Sequence, residues 1–138
     1  MGTANDGREM HYSVGALIER KGKVLLIDRV KPPYGFAGLA GHVDGGETDV
    51  EALLREVGEE SGLTVSAYKL VAEEEVPWNW CSKGVQVHYW KLFACTVSGR
   101  VKRDAHEAKR IEWFSYAQIR KLQLEPVWEY WLKKMGKL

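Results

Sequence analysis

The sequence is poor in cysteine, with only Cys81 and Cys95 among its residues. The spacing of the two cysteines matches no metal-binding or redox motif, so a reducing environment is expected. The chain also lacks an apolar run that approaches the roughly 18 residues of a membrane helix, and no basic start of a signal peptide precedes one. We therefore expect a cytoplasmic protein that does not associate with membranes.

An excess of charge of one sign is also absent. The 20 Lys and Arg residues nearly balance the 19 Asp and Glu residues, which gives a formal net charge of +1. Binding of long nucleic acid or of anionic membranes usually relies on a basic excess, so this balance favours neither. A small anionic ligand is compatible with it.

The length and composition predict one domain. The chain has 138 residues, 45% of them hydrophobic, which is enough for one substantial core and too few for two ordinary domains. Residues 1–9 are polar and contain glycine, a composition that predicts a flexible N-terminal tail. We expect the single domain to span residues 10–138.

The most informative stretch is residues 41–63, which read GHVDGGETDVEALLREVGEESGL. Thr48 and Glu51 have the spacing of a capping box, and Gly62 suits the left-handed residue that ends a helix. This predicts a helix over residues 49–61, on which residues follow one another at about 100°. The predicted packing side consists of Val50, Leu53, Leu54, Val57 and Ser61, and the neighbouring acidic side of Glu56, Glu59 and Glu60.

The three glutamates are unfavourable for the helix itself. Acidic side chains near a helix C-terminus oppose the macrodipole at about 0.3–1 kcal/mol each, and like charges three or four residues apart cost roughly 0.2–0.5 kcal/mol per pair. A hard divalent cation would offset this cost, because carboxylate oxygens are preferred ligands of Mg²⁺ and Mn²⁺. A solvated acidic face is the alternative interpretation of the glutamates taken alone.

The residues around the glutamates favour the cation. Gly41, five residues, Glu47, seven residues and then residues 55–63, REVGEESGL, match the pattern G-x5-E-x7-R-E-U-x-E-E-x-G-U, with U aliphatic, at every fixed position. Agreement at so many constrained positions is far more specific than a lone glycine motif. The chain therefore resembles the Nudix hydrolases, which cleave a diphosphate linkage in a nucleoside diphosphate joined to another group.

The resemblance implies a Nudix-type α/β/α sandwich, in which a mixed β-sheet lies between helices. The rest of the chain fits such a layered α/β domain. Its patterns predict a hairpin across Lys21-Gly22, strands over residues 65–76, 85–97 and 111–114, and helices that begin near Ser115 and Pro126.

The resemblance also implies which residues bind metal. Glu59 and Glu60 are the first candidates as ligands of Mg²⁺, or of Mn²⁺, and Glu56 shares their side of the helix. The backbone carbonyl of Gly41 can supply a further ligand. Glu107 precedes the strand over residues 111–114, where many family members place another metal-binding carboxylate, although an exposed loop glutamate is the equal alternative.

The candidate catalytic residues are Arg55, Glu56 and Glu59. A metal-activated water attacks the phosphoanhydride, with or without a carboxylate base, and Glu56 is the candidate for that base. Arg55 has two interpretations, a clamp on the substrate phosphates or an ion pair with Glu47 that fixes the loop to the helix. The ion pair is favoured, because a bidentate arginine–carboxylate contact adds geometric specificity, and Glu47 is then a structural support.

Aromatic residues are the candidates for binding the nucleobase. Trp78 and Trp80 lie in a predicted turn, where an indole can stack on a base for about 1–3 kcal/mol. Tyr34 and Phe36 precede residues 41–63, the Nudix box, and could wall the same pocket. Core packing is favoured for Trp90, Trp113, Trp128 and Trp131. Three histidines, His42, His88 and His106, are each more typical of structural or surface positions when taken singly.

The favoured function is Mg²⁺-dependent hydrolysis of a nucleoside triphosphate, including oxidised or deoxy forms, or of a nucleoside diphosphate sugar such as ADP-ribose. The expected partner is a small nucleotide, with no long nucleic acid and no membrane, and the chain is expected to be a monomer or a homodimer. A catalytically silent nucleotide sensor on the same fold is the main alternative, although such a protein would be expected to have lost box glutamates. A partner-binding module that uses the tryptophan-rich C-terminus is a third.

Overall fold

The computed structural model describes residues 2–81 and 83–138. In this part of the chain the elements are, in order, β1 (Gly2–Thr3), β2 (Glu9–Arg20), β3 (Lys23–Arg29), β4 (Phe36–Ala37), β5 (Leu39–His42), α1 (Asp49–Ser61), β6 (Thr64–Val76), β7 (Val87–Ser98), β8 (Ala108–Ser115), α2 (Tyr116–Ile119) and α3 (Pro126–Lys134). None of the helices in these residues has the length and apolar character needed to cross a membrane.

The sheet is mixed and is built around β2 and β7. β2 forms the predicted hairpin with β3 across Lys21 and Gly22, and it also pairs with β5 in the antiparallel sense. β7 lies parallel to β2 on one side and antiparallel to β6 on the other. β3 in turn pairs with β4 and β8. Most residues on both faces of β7 are buried or partly buried, as expected for a central strand whose two faces are covered by other layers.

Helices cover the two faces of this sheet. On β2, a Cβ atom at Gly15 would crowd the ring of Trp128 in α3. On β5, a Cβ atom at Gly41 would overlap the carboxylate of Glu56 in α1. Gly41 pairs with Val14, the neighbour of Gly15, and successive strand residues point to opposite faces. The sheet therefore lies between α1 and α3, and the predicted mixed sheet between helices is confirmed.

The predicted box helix is confirmed, including both of its ends. The Thr48 hydroxyl accepts a hydrogen bond from the backbone N–H of Glu51, the Glu51 carboxylate accepts one from the N–H of Thr48, and Gly62 has a φ of 74°. The packed side of the helix differs from the prediction, which did not include the buried Ala52. Leu54 is 43% exposed, whereas Glu60 is only 5% exposed. The helix thus carries one carboxyl group of the predicted acidic side into the interior.

Tryptophan provides much of the core. Trp90, Trp128 and Trp131 are buried, as predicted, and the Trp90 ring contacts the other two. Trp113 is partly buried beneath the guanidinium of Arg20. The enclosed rings of Trp128 and Trp131 are not accessible to another molecule. The structure therefore gives no support to a partner-binding surface made of C-terminal tryptophans.

The segment predicted as a flexible tail makes specific contacts in the structure. Its residues Gly2–Thr3 form β1 on the edge of β2. The backbone N–H of Asn5 donates to the Glu75 carboxylate at 2.9 Å, and the Arg8 guanidinium donates to the carbonyl of Pro77 at 3.1 Å. This segment therefore lies against the sheet rather than apart from it.

Candidate functional site

A cleft of about 340 Å³ lies beside α1 and the neighbouring strand β5. This volume is in the range of small-molecule sites. The side chains that give the cleft its charge form two groups. The acidic group includes Glu56, Glu59, Glu60, Asp104 and Glu107, and the basic group consists of Arg29, Lys31 and Lys83. The structure thus brings the three box glutamates and Glu107 to one cleft. It also places three basic side chains there that no sequence motif indicates.

The partly buried carboxyl group of Glu56 lies close to the buried carboxyl group of Glu60. Burial, followed by the charge of Glu56, raises the pKa of Glu60 well above its usual range. Burial also raises the pKa of Glu56, against the opposing effect of Arg55. The Oε2 atom of Glu60 has no hydrogen-bond partner among the residues that the structure describes. A buried carboxylate oxygen without a partner is costly, and a hard cation is the ligand that would satisfy it.

Gly41 provides the space that Glu56 occupies. The residue lies in β5 with ordinary strand pairing, and its φ is not positive, so its conformation does not itself require glycine. A Cβ atom at this position would overlap the Glu56 carboxylate. The glycine therefore allows a side chain to approach the backbone closely.

Arg55 connects the box loop to the glutamates of α1. Its Nε and Nη2 atoms donate to the two Glu47 oxygens at 2.7 and 3.0 Å, which is the ion pair expected from the sequence. Its Nη1 atom donates to Glu56 at 2.8 Å and to Glu59 at 3.2 Å, and Nη2 also reaches the carbonyl of His42 at 3.1 Å. Arg55 therefore holds the box loop against α1, and it also orients the Glu56 carboxylate.

We expect Glu47→Gln to lower the free energy of unfolding at pH 7 and to lose this effect in acid. Hydrogen bonds from Arg55 lower the pKa of Glu47 from 4.5 to about 2. A carboxylate whose pKa is lower in the folded state than in the unfolded state stabilises the fold fully when the pH is above the unfolded-state pKa. This contribution is lost as the pH falls through the folded-state pKa. The difference from the wild-type chain should therefore shrink below pH 4.5.

Urea unfolding of both proteins between pH 7 and pH 3 measures this difference. Glu129→Gln is the control, because it removes a carboxylate from an exposed pair with Lys133. A destabilisation by Glu47→Gln that stays constant over the whole range would contradict the charge-based role of the ion pair.

Glu107 and Glu125 line the cleft, and each lies near a basic side chain. Glu107 is 3.5 Å from the Lys31 ammonium, and its charge contributes to the raised pKa of Glu60. Glu125 is 3.6 Å from Arg29, and burial raises its pKa to about 7. The sequence pattern could not have shown that Glu125 lines the cleft, because this residue comes from the start of α3, far along the chain from the box.

Only one of the four aromatic residues predicted to bind substrate lines the cleft. The Trp80 side chain belongs to the lining and is 47% exposed. Trp78 is also exposed, but its ring packs edge-to-face against a tyrosine of α3. Tyr34 lies beneath a lysine ammonium, and Phe36 packs against a phenylalanine of β8. The rings of these last three residues do not line the cleft, because tertiary packing directs them elsewhere, and their part in substrate binding stays a prediction.

A second set of side chains, which we name the His/Cys cluster, lies beside the cleft, and three of its four members line it. It consists of His11, His42, Cys81 and His88, and one potential ligand atom from each lies within 4.8 Å of all the others. Burial lowers the pKa of His42 to about 4, so its imidazole is neutral near pH 7.

Strand register brings the histidines together. His11 of β2 lies directly opposite His88 of β7, and His42 of β5 lies opposite Ser13, two residues further along β2. The three side chains therefore share one face of the sheet. Sequence reasoning considered His42 and His88 singly, and the long-range strand pairing was the missing information.

Comparison with known proteins identifies the family. A model of the NUDIX domain matches residues 9–135. The chain is 35% identical over 105 residues to the NAD-capped RNA hydrolase NUDT12 of Homo sapiens, an alignment that covers 75% of this chain but only 21% of that protein. It is 32% identical over 122 residues to the CTP pyrophosphohydrolase of Escherichia coli (strain K12), covering 82% of each chain.

A solved structure shows the same fold. The MutT protein from Methanosarcina mazei Go1 matches with a TM-score of 0.72 and 24% sequence identity, covering 88% of both chains. The complete box and the domain match over nearly the whole chain agree with this likeness. The chain therefore belongs to the Nudix hydrolase family.

Proposed function

We propose that this chain is a divalent-metal-dependent pyrophosphohydrolase, which cleaves a diphosphate linkage in a nucleoside diphosphate joined to another group. The observation that carries this proposal is the buried, unpartnered oxygen of Glu60 beside the carboxyl group of Glu56. Two carboxyl groups at such a site cannot both ionise at low cost unless a cation neutralises them. Membership of the Nudix hydrolase family supports the same conclusion.

The residues present suit Mg²⁺ or Mn²⁺. The proposed ligands are Glu56, Glu59, Glu60, Glu107 and the backbone carbonyl of Gly41. These are all oxygen donors, which both ions prefer, and the ions usually keep water and phosphate in their remaining positions. When bound, such an ion neutralises phosphate charge and lowers the pKa of a coordinated water.

Glu56 is the proposed base that accepts the proton of the attacking water. Its carboxylate is held by Arg55 at 2.8 Å and lies against the backbone at Gly41, so its position is fixed before substrate arrives. Arg55 is a positioning residue in this scheme, since its guanidinium is already engaged by Glu47 and Glu56. Glu59 is 57% exposed at its side chain, which suits a ligand that faces solvent and substrate.

The other cleft residues suit a nucleotide substrate. Arg29, Lys31 and Lys83 can neutralise phosphate oxygens, and the exposed ring of Trp80 can stack on a base. The two relatives are named for CTP and for NAD-capped RNA, and both substrates contain a phosphoanhydride next to a nucleoside. The proposed substrate class is therefore a nucleoside with a diphosphate linkage.

A substrate panel tests the proposed activity. CTP, a deoxynucleoside triphosphate, ADP-ribose, NAD and a short NAD-capped RNA are incubated with the purified chain and Mg²⁺, and the products are separated by chromatography. We expect cleavage of at least one phosphoanhydride, abolished by EDTA and restored by added Mg²⁺ or Mn²⁺. Binding of a nucleotide without turnover of any substrate would overturn the proposal in favour of the sensor.

We expect Trp80→Ala to raise KM for the best panel substrate by about tenfold and to change kcat little. Stacking on a base is made equally in the ground and transition states, so its loss weakens binding without slowing chemistry. Steady-state kinetics measures both constants.

Trp78→Ala is a matched control for this variant. Its ring is 46% exposed, close to the value for Trp80, but lies away from the cleft. An increase in KM of the same size in both variants would contradict the specific role of Trp80.

A further inference from the structure

The His/Cys cluster has no part in the hydrolysis proposed above, which uses oxygen donors. It gathers three of the four histidines of the chain and one of its two cysteines. We propose that this cluster is a zinc-binding site, separate from the carboxylates of α1. Imidazole nitrogen and thiolate sulfur are the donor types that bind four-coordinate zinc.

The spacing of the ligand atoms fits a tetrahedral ion. Zinc bonds of about 2.0–2.3 Å place neighbouring ligand atoms roughly 3.3–3.8 Å apart in a tetrahedron. The Nε2 atoms of His42 and His88 are 3.2 Å apart, and the Cys81 Sγ and His11 Nδ1 atoms are 3.9 Å apart. All four candidate atoms lie within 4.8 Å of one another, so binding needs only small side-chain adjustments.

His88 is already oriented as a ligand. Its Nδ1 atom is 2.6 Å from the carbonyl oxygen of Asn79, and a carbonyl can only accept, so Nδ1 carries the proton. The lone pair therefore lies on Nε2, the atom that faces His42. The Asn79 side chain in turn accepts a hydrogen bond from the Trp90 indole at 2.8 Å. A histidine held by a backbone carbonyl in this way is the usual outer arrangement of a zinc site.

The donor types separate this site from the proposed Mg²⁺ site. Nitrogen and sulfur donors favour zinc, whereas Mg²⁺ favours the carboxylate oxygens of α1. Cys81 must lose its proton on binding, and the resulting thiolate offsets part of the repulsion from the nearby charges of Lys83 and Arg29. The same cleft thus offers a separate donor set to each of two different metals.

Zinc at this position would join segments that are distant in sequence. His11, His42 and His88 belong to β2, β5 and β7, and Cys81 follows Trp80 in the connection between β6 and β7. The ion would therefore anchor the connection that carries the exposed indole of the cleft. Because the four ligands come together only in the folded chain, zinc should also stabilise the fold.

The test is a zinc titration of the full chain in saturating Mg²⁺, read with a chromophoric chelator as competitor. We expect one zinc ion per chain and a higher midpoint of thermal unfolding. Cobalt(II) serves as the spectroscopic probe, and its complex should show the visible bands of tetrahedral coordination together with a thiolate charge-transfer band. A complex without the thiolate band would overturn the proposal.

Matched variants locate the ion. Cys81→Ala and His11→Ala change partly exposed ligands, and each should weaken zinc binding by at least about a hundredfold, since loss of an outer-shell partner alone costs 10–100-fold. Cys95→Ala and His106→Ala, at the remaining cysteine and histidine, should leave it unchanged. Circular dichroism confirms that each variant is folded.

One result in particular would relocate the ion. If zinc binding survives in both Cys81→Ala and His11→Ala but is weakened by Glu60→Gln, the ion binds to the carboxylates of α1. That result would overturn the His/Cys site while leaving the proposed hydrolysis untouched.

Discussion

Glu60→Gln is expected to lower turnover of the best panel substrate by at least about a hundredfold in saturating Mg²⁺, a loss of about 2.7 kcal/mol of transition-state stabilisation. The substitution keeps the shape of the side chain but removes the charge and one oxygen ligand from the proposed metal site. Glu60 is the most buried of the box glutamates, so no water can easily replace it as a ligand.

The same variant should not be less stable than the wild-type chain when both are measured without metal. The buried Glu60 carboxyl group has an oxygen without a partner among the described residues, and it lies next to the Glu56 carboxyl group. A glutamine amide is neutral and can donate a hydrogen bond to Glu56, which relieves that repulsion. Loss of activity with retained thermal stability separates a ligand from a residue that merely supports folding.

Steady-state kinetics at increasing Mg²⁺ concentration and thermal unfolding in EDTA measure the two effects. Glu129→Gln, on the exposed part of α3, is the control and should change neither. Turnover of Glu60→Gln near the wild-type rate would show that Glu60 is not a metal ligand.

Glu107→Gln should show a smaller loss of turnover, at least about tenfold, with a higher Mg²⁺ requirement, because this ligand comes from a separate loop.

The sequence predicts well those elements that are specified by residues close to one another in the chain. The capping box at Thr48 and Glu51 and the left-handed Gly62 define α1 within one turn at each end. The hairpin across Lys21 and Gly22 likewise depends on local turn chemistry and on two adjacent apolar strands. In each case the interaction partners are a few residues apart, so the pattern contains the information.

The burial of Glu60 was not predicted, because it depends on which side of α1 faces the sheet. The apolar arc could be drawn to include Leu54 and exclude Glu60, yet the helix packs with Glu60 inside and Leu54 outside. An amphipathic pattern defines such an orientation only approximately. The observed orientation also places the Glu56 carboxylate against β5, where Gly41 leaves room for it.

The His/Cys cluster and the lining of the cleft depend on contacts between distant parts of the chain. His11 and His88 are opposite each other only because β2 and β7 pair in parallel with one particular register. A shift by one residue would turn one of the two side chains to the other face. The same reasoning applies to Trp78 and Trp80, which are two residues apart in sequence but have different surroundings.

Gly41→Ala is expected to lower turnover by about a hundredfold while the chain remains folded. The backbone at this position can accept alanine, because Gly41 lies in a strand and its φ is not positive. The added Cβ atom would overlap the Glu56 carboxylate, which must then move away from its contact with Arg55. Displacement of a catalytic group by about 1 Å is enough to cost a factor of this size.

Gly45→Ala is the matched control for this substitution. It lies in the same box loop, its φ is not positive, and a Cβ atom there would meet no other atom within 4 Å. Kinetics with the best panel substrate and circular dichroism of both variants distinguish the outcomes. We expect Gly45→Ala to remain active and Gly41→Ala to be folded and nearly inactive. Equal activity of the two would mean that the position of Glu56 is not critical, and the proton would then be accepted by another carboxylate of the cleft.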